Sequence, residues 1–485
     1  MSELKHRVSG TSGGTNEEVR LFETARRFGQ EHIFRWWDEL DRSEKDAFLA
    51  QVRSIDFELL NRLTSSLPHD GASVRKRGKL EPAEVIRVPT TDEEKRAEER
   101  ARERGETLLR AGKVCAVVVA GGQATRMGSP GPKGAVGIGP VSCKSLFQLH
   151  AEKIRATTGR YGAPIPWYIM TSKSNDEQTK RFFRDHYHFG LPPEDVDFVM
   201  QDMLPAVDFS GKIIMDAKDH IFMSPTGHGA SLKTLYDCGA INDMKSRGIE
   251  CIFHFQVDNP LVIIADPIFV GYHDLNGAEM SSKMVDKNSP TERVGVACVE
   301  NGKNLIIEYS DIDPESARER TPDGRLRLWA GNIAQHVLNV SFVERMRPIL
   351  DRMPFHRARK KVPYINERGV RVVPDKENGL KFERFVFDAL PYAKKIVHME
   401  IIREREYTPI KTSDGNDSPE AAKERMISVY AQWLNSAGVS VPRNKSGQVA
   451  ARIEISPLYA LDEKELASKI GRDLVIGDEL YLSED

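Results

Sequence analysis

The feature that most constrains the fold is a short apolar run that stops at two glycines. Residues 115–120 read CAVVVA, and Gly121 and Gly122 follow directly. A run of this length, ended by glycines, is typical of a buried strand rather than of a helix. It therefore predicts the first strand of an α/β domain, followed by a loop in which the backbone is bare of side chains.

Apolar runs and helical segments then alternate along the chain. Residues 165–172, 196–201 and 249–259 are predicted strands. One predicted helix is capped by Ser174 and Glu177 and ends at Gly190, and another covers residues 228–248. This alternation indicates a mostly parallel, three-layer α/β domain.

The flanking regions have different patterns. The apolar spacing of residues 16–67 predicts helices, and Thr91 with Glu94 forms a capping box before a charged helix that Gly105 is expected to end. After about residue 405, short apolar runs between Gly and Asp turns predict a small β-rich module. We therefore expect a helical region (residues 1–110), a catalytic domain (residues 111–405) and a C-terminal domain (residues 406–485).

Composition excludes several classes of protein. Lys plus Arg is 70 and Asp plus Glu is 72, so no global charge attracts nucleic acid or a membrane. The five cysteines are scattered, which argues against a disulfide framework or a zinc site. The polar start MSELKHRVSGTSGG shows no signal sequence, and the most apolar stretch is interrupted by polar residues. We expect a cytoplasmic protein without a membrane span.

The loop after the first strand carries two cations, Arg126 and Lys133. Ligands of open α/β sheets bind at the carboxyl ends of strands, and glycine backbone N–H groups there can bind an anion. The loop therefore predicts a cradle for a nucleoside triphosphate. From these residues alone, an incidental surface loop is the alternative. The pattern GxGxxG does not fit GGQATRMG, and Cys143 stands where a Walker loop needs its second glycine.

The loop also carries a resemblance. AGGQATRMGSPGPK resembles the signature of nucleotide-sugar pyrophosphorylases, which combine GG, TR(M/L)G and PK. The eukaryotic-type UDP-N-acetylhexosamine pyrophosphorylases are similar over residues 110–415, in the same order, through the segments KSLFQLHAEKI, MQDMLPAV, FHFQVDNPLVIIADP, SPTERVGV, IIEYSDI, AGNIAQH, GLKFERFVFD and EYTPIK. IEISPL extends the resemblance into the C-terminal region.

The resemblance implies a fold and an activity. The fold is a central three-layer nucleotide-diphospho-sugar transferase (Rossmann-like) domain, with a helical N-terminal region and a small β-rich C-terminal domain. The activity is uridylyl transfer: UTP and N-acetylglucosamine 1-phosphate give UDP-N-acetylglucosamine and pyrophosphate. The partners are then small-molecule substrates and Mg²⁺ (or Mn²⁺), without nucleic acid or membrane. The oligomeric state stays open, a homo-oligomer included.

The resemblance also implies roles for single residues. Arg126 and Lys133 are the catalytic cations, and Asp258 is the metal ligand. The nucleotide is held by Val119, Ala120, Gly121, Gly122, Lys133, Gln201, Asp258 and Lys381. The sugar phosphate is held by Gly227, His228, Gly295, Glu308, Tyr309, Asn332, Phe385, Phe387 and Lys411.

Two positions depart from the family pattern. The family has GNGG where this chain has GHGA at residues 227–230, so that His228 replaces an asparagine. GHG at this point resembles UDP-glucose and broad-specificity UDP-sugar pyrophosphorylases, and the alternative substrate is therefore glucose 1-phosphate or several sugar phosphates. Ala124 replaces a usual glycine. A non-catalytic binding protein on the same fold is a further alternative, but it would be expected to lose Arg126, Lys133 or Asp258.

Overall fold

Two compact units make up the computed structural model, which describes residues 16–65, 78–471 and 473–484. The first unit combines residues 16–65, 202–230 and 354–385. The second combines residues 78–201, 231–353 and the chain from 386 onward. The polar start of the chain and the end of the predicted helical stretch, residues 66 and 67, lie outside the described residues.

A mixed sheet forms the centre of the second unit, with ten strands among the described residues. Its path runs through Leu80–Pro82, Val296–Glu300, Ala330–Asn339, Cys251–Gln256, Val114–Val119, Trp167–Ser172 and Val196–Gln201. The last four strands are parallel to one another, and Lys303–Ile307, Met280–Asp286 and Ile396–Glu400 complete the sheet. The predicted α/β class and its first strands are confirmed.

The register of the parallel strands brings their carboxyl ends to one edge. Val119 lies beside Met170 and Gln256, and Ser172 lies beside Gln201. The strand Val114–Val119 is buried along nearly its whole length, because helices cover both faces of a parallel sheet. The loop that begins at Ala120 therefore starts at the edge where ligands of such sheets bind.

Helices surround this sheet. Those of the second unit are Asp92–Arg110, Leu146–Tyr161, Asp176–Asp185, Ala230–Asp237, Ala240–Ser246, Pro267–Leu275, Pro314–Arg318, Val340–Arg345, Arg347–Leu350, Arg403–Glu406, Pro419–Ser436 and Glu463–Lys469. The predicted capping box is present: Thr91 Oγ1 accepts from Glu94 N, and the Glu94 carboxylate accepts from Thr91 N. In the described part of the chain, no helix is long and apolar enough to cross a membrane.

Gly105 does not end its helix, contrary to the sequence prediction. The helix Asp92–Arg110 continues through it, and a Cβ at Gly105 would lie 1.8 Å from the carbonyl oxygen of Pro267. A Cβ at Gly271 would likewise lie 1.7 Å from the carbonyl oxygen of Ala101. The two glycines thus let two helices touch backbone to backbone. This tertiary contact explains why a glycine stands inside the helix, and the local sequence pattern does not reveal it. The helix predicted over residues 228–248 is divided at Gly239, where φ is +85°.

The C-terminal region contains more helix than the predicted β-rich module. Its longest element is the helix Pro419–Ser436, and its strands are the parallel pair Arg452–Ile455 and Glu479–Leu482. Short apolar runs have the same appearance in buried helices and in strands, which explains the difference. Leu434 and Ile453 belong to the same buried cluster as the central strands.

The first unit packs helices against small antiparallel strands. The predicted N-terminal helices are confirmed as Asn16–Arg27, Arg42–Arg53 and Phe57–Thr64. Its largest sheet joins His356–Lys360, Gly379–Glu383 and Val207–Asp208. Three strand pairs complete it: Met203–Pro205 with Met223–Pro225, Met215–Ala217 with His220–Ile221, and Tyr364–Ile365 with Arg371–Val372. Aromatic side chains of the helices and Leu380 and Phe382 of the sheet form one core.

Candidate active site

The glycine loop at the edge of the sheet is fixed by side chains of the neighbouring strand end. Ser172 Oγ donates to the Gly121 carbonyl oxygen at 2.7 Å. Asn175 Nδ2 donates to the carbonyl oxygens of Ala120 and Gly122, at 2.7 and 3.2 Å. These bonds use the carbonyl side of residues 120–122. Ser172 and Asn175 were missed by the sequence analysis, although polar residues directly after an apolar strand were a visible signal.

Gln201 lies directly against the bare backbone of Gly121. A Cβ at Gly121 would lie 2.3 Å from Gln201 Nε2, so any other residue would displace this amide. Gln201 is 4% exposed, and its Oε1 has no hydrogen-bond partner among the residues that the structure describes. A buried acceptor without a partner is costly, and a ligand that donates a hydrogen bond would satisfy it.

The loop then turns back on itself through backbone hydrogen bonds. Lys133 N donates to the Gly122 carbonyl oxygen at 3.1 Å, and Ala124 N donates to that of Gly131 at 2.9 Å. Ala124 has a φ of −85°, so an alanine adopts this conformation without strain. Arg126 is exposed, and its guanidinium forms no ion pair or hydrogen bond within the described ranges.

Asp258 and two lysines form an ionic cluster, which we call the phosphate cluster: Lys133, Asp258 and Lys411. Lys133 Nζ lies 2.9 Å from Asp258 Oδ2. Burial raises the pKa of Asp258, but the charges of Lys133 and Lys411 outweigh burial and hold that pKa below its usual range. Burial lowers the pKa of Lys411, and here Tyr407, Asp258 and Asp417 reverse the effect and raise it. One carboxylate thus faces two ammonium groups, an arrangement that favours a further anion.

The backbone around Asp258 is held on both sides. Ile410 N donates to the Asp258 carbonyl oxygen at 2.9 Å. Asn259 Nδ2 donates to the Glu406 carbonyl oxygen at 2.7 Å, and its Oδ1 accepts from Thr408 N at 3.0 Å. These bonds tie the end of the strand Cys251–Gln256 to the segment that carries Lys411. Asn259 is a positioning residue that the sequence analysis did not identify.

The protein groups near Asp258 fit only one coordination mode of Mg²⁺. No cluster of three or more His, Cys, Asp or Glu side chains that could hold a metal occurs in the described part of the chain. Mg²⁺ commonly takes one or two protein carboxylates and completes its octahedron with water and substrate phosphate oxygens. A single buried carboxylate beside cations fits that mode, and it does not fit a metal held by protein ligands alone.

Three of the predicted sugar residues lie together in the second unit. Asn332 N donates to the Gly295 carbonyl oxygen at 2.7 Å. A Cβ at Gly295 would lie 2.9 Å from Ile306 Cγ2 and 3.3 Å from Glu308 Oε1, so this glycine leaves room for both side chains. Tyr309 is 42% exposed, whereas Phe387 is buried in the helical turn Val386–Tyr392.

The other predicted sugar and phosphate residues belong to the first unit. Gly227 has a φ of +88°, and a Cβ there would lie 2.5 Å from the carbonyl oxygen of Arg384. This contact places the next residue, His228, on Phe385, with ring centroids 5.1 Å apart and an interplanar angle of 27°. Lys381 Nζ lies 4.9 Å from the centroid of the Phe222 ring.

The family model described as UTP–glucose-1-phosphate uridylyltransferase matches residues 69–450. The chain belongs to this family. The human UDP-N-acetylhexosamine pyrophosphorylase-like protein 1 is 38% identical over 466 residues, which cover 90% of this chain and 91% of the human protein. Within this uridylyltransferase family, the resemblance noted in the sequence is thereby confirmed.

Two solved structures are similar over most of the chain. The putative UDP-N-acetylglucosamine pyrophosphorylase from Entamoeba histolytica is 31% identical with a TM-score of 0.74, and the match covers 84% of this chain and 100% of that one. The uridine diphosphate N-acetylglucosamine pyrophosphorylase from Trypanosoma brucei is 26% identical with a TM-score of 0.79, covering 98% of this chain and 99% of that one. The fold class of this family member is therefore that of UDP-sugar pyrophosphorylases.

Proposed function

We propose that this protein is a uridylyltransferase that forms UDP-N-acetylglucosamine and pyrophosphate from UTP and N-acetylglucosamine 1-phosphate. The observation that carries the proposal is the phosphate cluster beside the glycine loop, in a chain similar to two solved structures that are named UDP-N-acetylglucosamine pyrophosphorylases. An excess of positive charge at the carboxyl edge of a parallel sheet is the environment that a polyphosphate requires.

Uracil recognition falls to Gln201 and the backbone of residues 119–122. The unpartnered Oε1 of Gln201 accepts from the uracil imide N–H, and its Nε2 donates to a uracil carbonyl oxygen. The bare Gly121 and Gly122 allow the nucleotide to lie against the backbone. The hydrogen bonds from Ser172 and Asn175 fix this backbone before the substrate binds.

The reaction needs charge stabilisation more than proton transfer. A phosphate oxygen of the sugar phosphate bonds to the α-phosphorus of UTP, and the bond from that phosphorus to the bridging oxygen of the β-phosphate breaks. The attacking oxygen is already ionised, so no general base is required. Lys133, Lys411 and Arg126 stabilise the charge that leaves with pyrophosphate. Asp258 would be the protein ligand of a Mg²⁺ or Mn²⁺ ion, and such an ion would neutralise further charge on the phosphates.

Glucose 1-phosphate is the second candidate substrate, and His228 is the observation that favours it. The imidazole replaces an amide and stacks on Phe385. A neutral imidazole has one donor and one acceptor, whereas an asparagine amide offers two of each, so the two residues suit different sugar substituents. With either sugar, the Glu308 carboxylate and the Asn332 amide, which lie beside Gly295, supply hydrogen bonds for sugar hydroxyl groups.

The test is pyrophosphate release from UTP with 1-phosphates of GlcNAc, GalNAc, glucose and galactose, in the presence of Mg²⁺. Asp258→Asn is measured beside the wild type, with Asp274→Asn as a control that removes a carboxylate paired only with Arg104 in the described structure. A preference for the acetamido sugars supports the proposal. A preference for glucose or galactose selects the second candidate, and His228→Asn is then expected to shift the preference back. No turnover with any sugar, or full turnover by Asp258→Asn, contradicts the proposal.

We also propose that the substrates are small molecules and that the protein acts in the cytoplasm. The free cysteines support the cytoplasmic location, because that compartment is reducing. A homo-oligomer is tested directly by light scattering of the purified chain.

A further inference from the structure

Lys153 belongs to the helix Leu146–Tyr161, which contributes no residue to the predicted site. Its Nζ donates to the carbonyl oxygens of Pro260 and Val262, the latter at 2.9 Å. Burial lowers the pKa of Lys153 to about 7, and the charge of Glu406 opposes this effect only in part. The charged and the neutral amine both have at least two N–H donors, so the two bonds form in either state.

His150 makes a similar bond one turn earlier on the same helix. Its Nε2 lies 3.0 Å from the Val257 carbonyl oxygen, and the imidazole donates because a carbonyl only accepts. Burial and the charge of Lys153 lower the pKa of His150 to about 3, so the ring is neutral near pH 7 and its single N–H is used here. The carbonyl directly before Asp258 and two carbonyls after it are therefore bonded to one helix.

These bonds hold a part of the chain that lies beyond the sheet. The strand Cys251–Gln256 ends two residues before Asp258, and the backbone after it needs other hydrogen-bond partners. Ile410 N and Thr408 N supply two of them. The helix supplies three more, so the position of the Asp258 carboxylate depends on helix residues more than 100 positions away in sequence.

The same helix also contacts the turn that carries Lys133. A Cβ at Gly134 would lie 2.3 Å from Cζ of Phe147, so the buried Phe147 ring occupies the space that this glycine leaves. Nζ of Lys133 lies 2.9 Å from Oδ2 of Asp258. One helix therefore contacts the backbone beside both members of the ion pair, and it can fix the distance between them.

We propose that His150 and Lys153 are positioning residues, which hold the Asp258 carboxylate at the distance from Lys133 that the substrate phosphates and their metal ion require. Both act through the backbone beside Asp258 and not through contact with the substrate. This inference rests on the proposed uridylyl transfer. Residues that orient a metal ligand without touching the metal commonly change metal affinity or activity by about 10- to 100-fold.

The test compares Lys153→Met with Lys153→Arg in the full chain. Lys153→Met removes both carbonyl bonds and should lower kcat roughly tenfold, with the sugar 1-phosphate that the wild type uses fastest. Isothermal titration calorimetry should show an affinity for Mn²⁺-UTP that is lower by roughly tenfold. Ligand-observed NMR should show an unchanged affinity for uridine, which has no phosphate. Lys153→Arg keeps N–H donors and should recover most of both losses.

Arg155→Met is the matched control on the same helix. Arg155 Nη1 donates to the Phe189 carbonyl oxygen at 3.3 Å, in a segment that does not carry Asp258. This variant also removes a cation that bonds a carbonyl, and it should keep the kcat and the Mn²⁺-UTP affinity of the wild type. A loss as large as that of Lys153→Met would overturn the proposal, because it would show that any weakening of the helix has the same effect.

A second pair of variants keeps the proposal falsifiable if Lys153→Met fails to fold. His150→Phe keeps an aromatic ring beside Phe255 but removes the donor to Val257, whereas His150→Gln keeps a donor. Only His150→Phe should lower kcat and the affinity for Mn²⁺-UTP. Wild-type values for both Lys153→Met and His150→Phe, beside an active wild type, would overturn this inference alone. A wild type that neither turns over any sugar 1-phosphate nor binds Mn²⁺-UTP would contradict the proposed function, and this inference with it.

Discussion

Two ionic clusters of the second unit contain residues from neighbouring stretches of the chain but have opposite charge arrangements. In the phosphate cluster, one carboxylate, Asp258, faces Lys133 and Lys411. In the other, which we call the buried triad, one ammonium group, that of Lys283, lies 2.6 Å from a carboxylate oxygen of both Asp266 and Glu406. The Lys283 side chain is 0% exposed, whereas that of Lys133 is 21% exposed.

The difference shows that charge balance and access, rather than burial of charge, distinguish a binding site from a structural element. The triad is closed, and its ammonium group already has two anions. The phosphate cluster keeps an excess of positive charge and stays open to a ligand. A buried ion pair that is broken leaves an uncompensated charge in the interior, whereas an open cluster exchanges its partner with a substrate.

Asp258→Asn is expected to have the largest effect, and the effect should fall on activity. Loss of the carboxylate that we propose as the metal ligand should lower kcat by roughly 10³-fold, comparable with the loss of a strong electrostatic contact in other active sites. The chain should remain folded, because the lysines can turn to solvent or bind buffer anions. Steady-state pyrophosphate release and thermal unfolding check both parts. If the variant lost its fold together with its activity, Asp258 would be structural, as Lys283 is, and the difference between the two clusters would not hold.

Lys283→Met is expected to show the reverse pattern. It leaves Asp266 and Glu406 buried without a counter-ion, which costs about 3–5 kcal/mol in the free energy of unfolding. We expect the same KM for UTP in the fraction that stays folded. Urea unfolding measures the loss, with Lys113→Met as the surface control. A loss below about 1 kcal/mol would mean that the triad is not structural.

The sequence predicts the parts of this contrast that depend on local pattern. The strands Val114–Val119 and Val196–Gln201 follow from their apolar runs. The position of Asp258 near the glycine loop follows because the carboxyl ends of parallel strands meet at one edge. In the site, the loop cations were therefore predicted from residues alone, whereas the roles of Asp258 and Lys411 were implied only by the family resemblance.

The remaining features depend on contacts between distant segments. The local pattern predicts a helix end at Gly105, whereas in the structure this glycine makes the close contact with Pro267. The bond from Asn259 to Glu406 joins residues 147 apart in sequence. Lys283 lies in an ordinary strand, MSSKMVD, that gives no sign of its two carboxylate partners. The first unit likewise gathers three distant segments, and no local pattern predicts that assembly.

Lys411→Met should have a smaller effect than Asp258→Asn, because it leaves Lys133 paired with Asp258. We expect kcat/KM for UTP to fall by roughly 10²-fold, with Lys411→Arg recovering part of it. Lys423→Met serves as the control, since Lys423 pairs only with the exposed Glu420 in the described structure. Equal activity of Lys411→Met and wild type would mean that Lys411 does not act on the substrate phosphates.

The smallest expected effect is a difference in how the two clusters contribute to stability as the pH changes. The folded pKa of Asp258 is lowered, because Lys133 and Lys411 outweigh burial. Its contribution to stability is therefore present above the unfolded pKa of about 3.9 and is lost as pH falls through the lower folded value. Burial raises the pKa of Glu406, and the charge of Lys283 compensates only in part. Its contribution is then present below about pH 4.3 and is lost as pH rises through the higher folded value.

Urea unfolding from pH 3 to pH 8 makes this difference measurable. The difference in unfolding free energy between wild type and Asp258→Asn should stay constant from pH 5 to pH 8 and shrink below about pH 4. The difference between wild type and Glu406→Gln should instead shrink as pH rises above about 4.3. Parallel pH profiles for the two variants would mean that the clusters hold their charges in the same way, and the distinction between an open and a closed cluster would then fail.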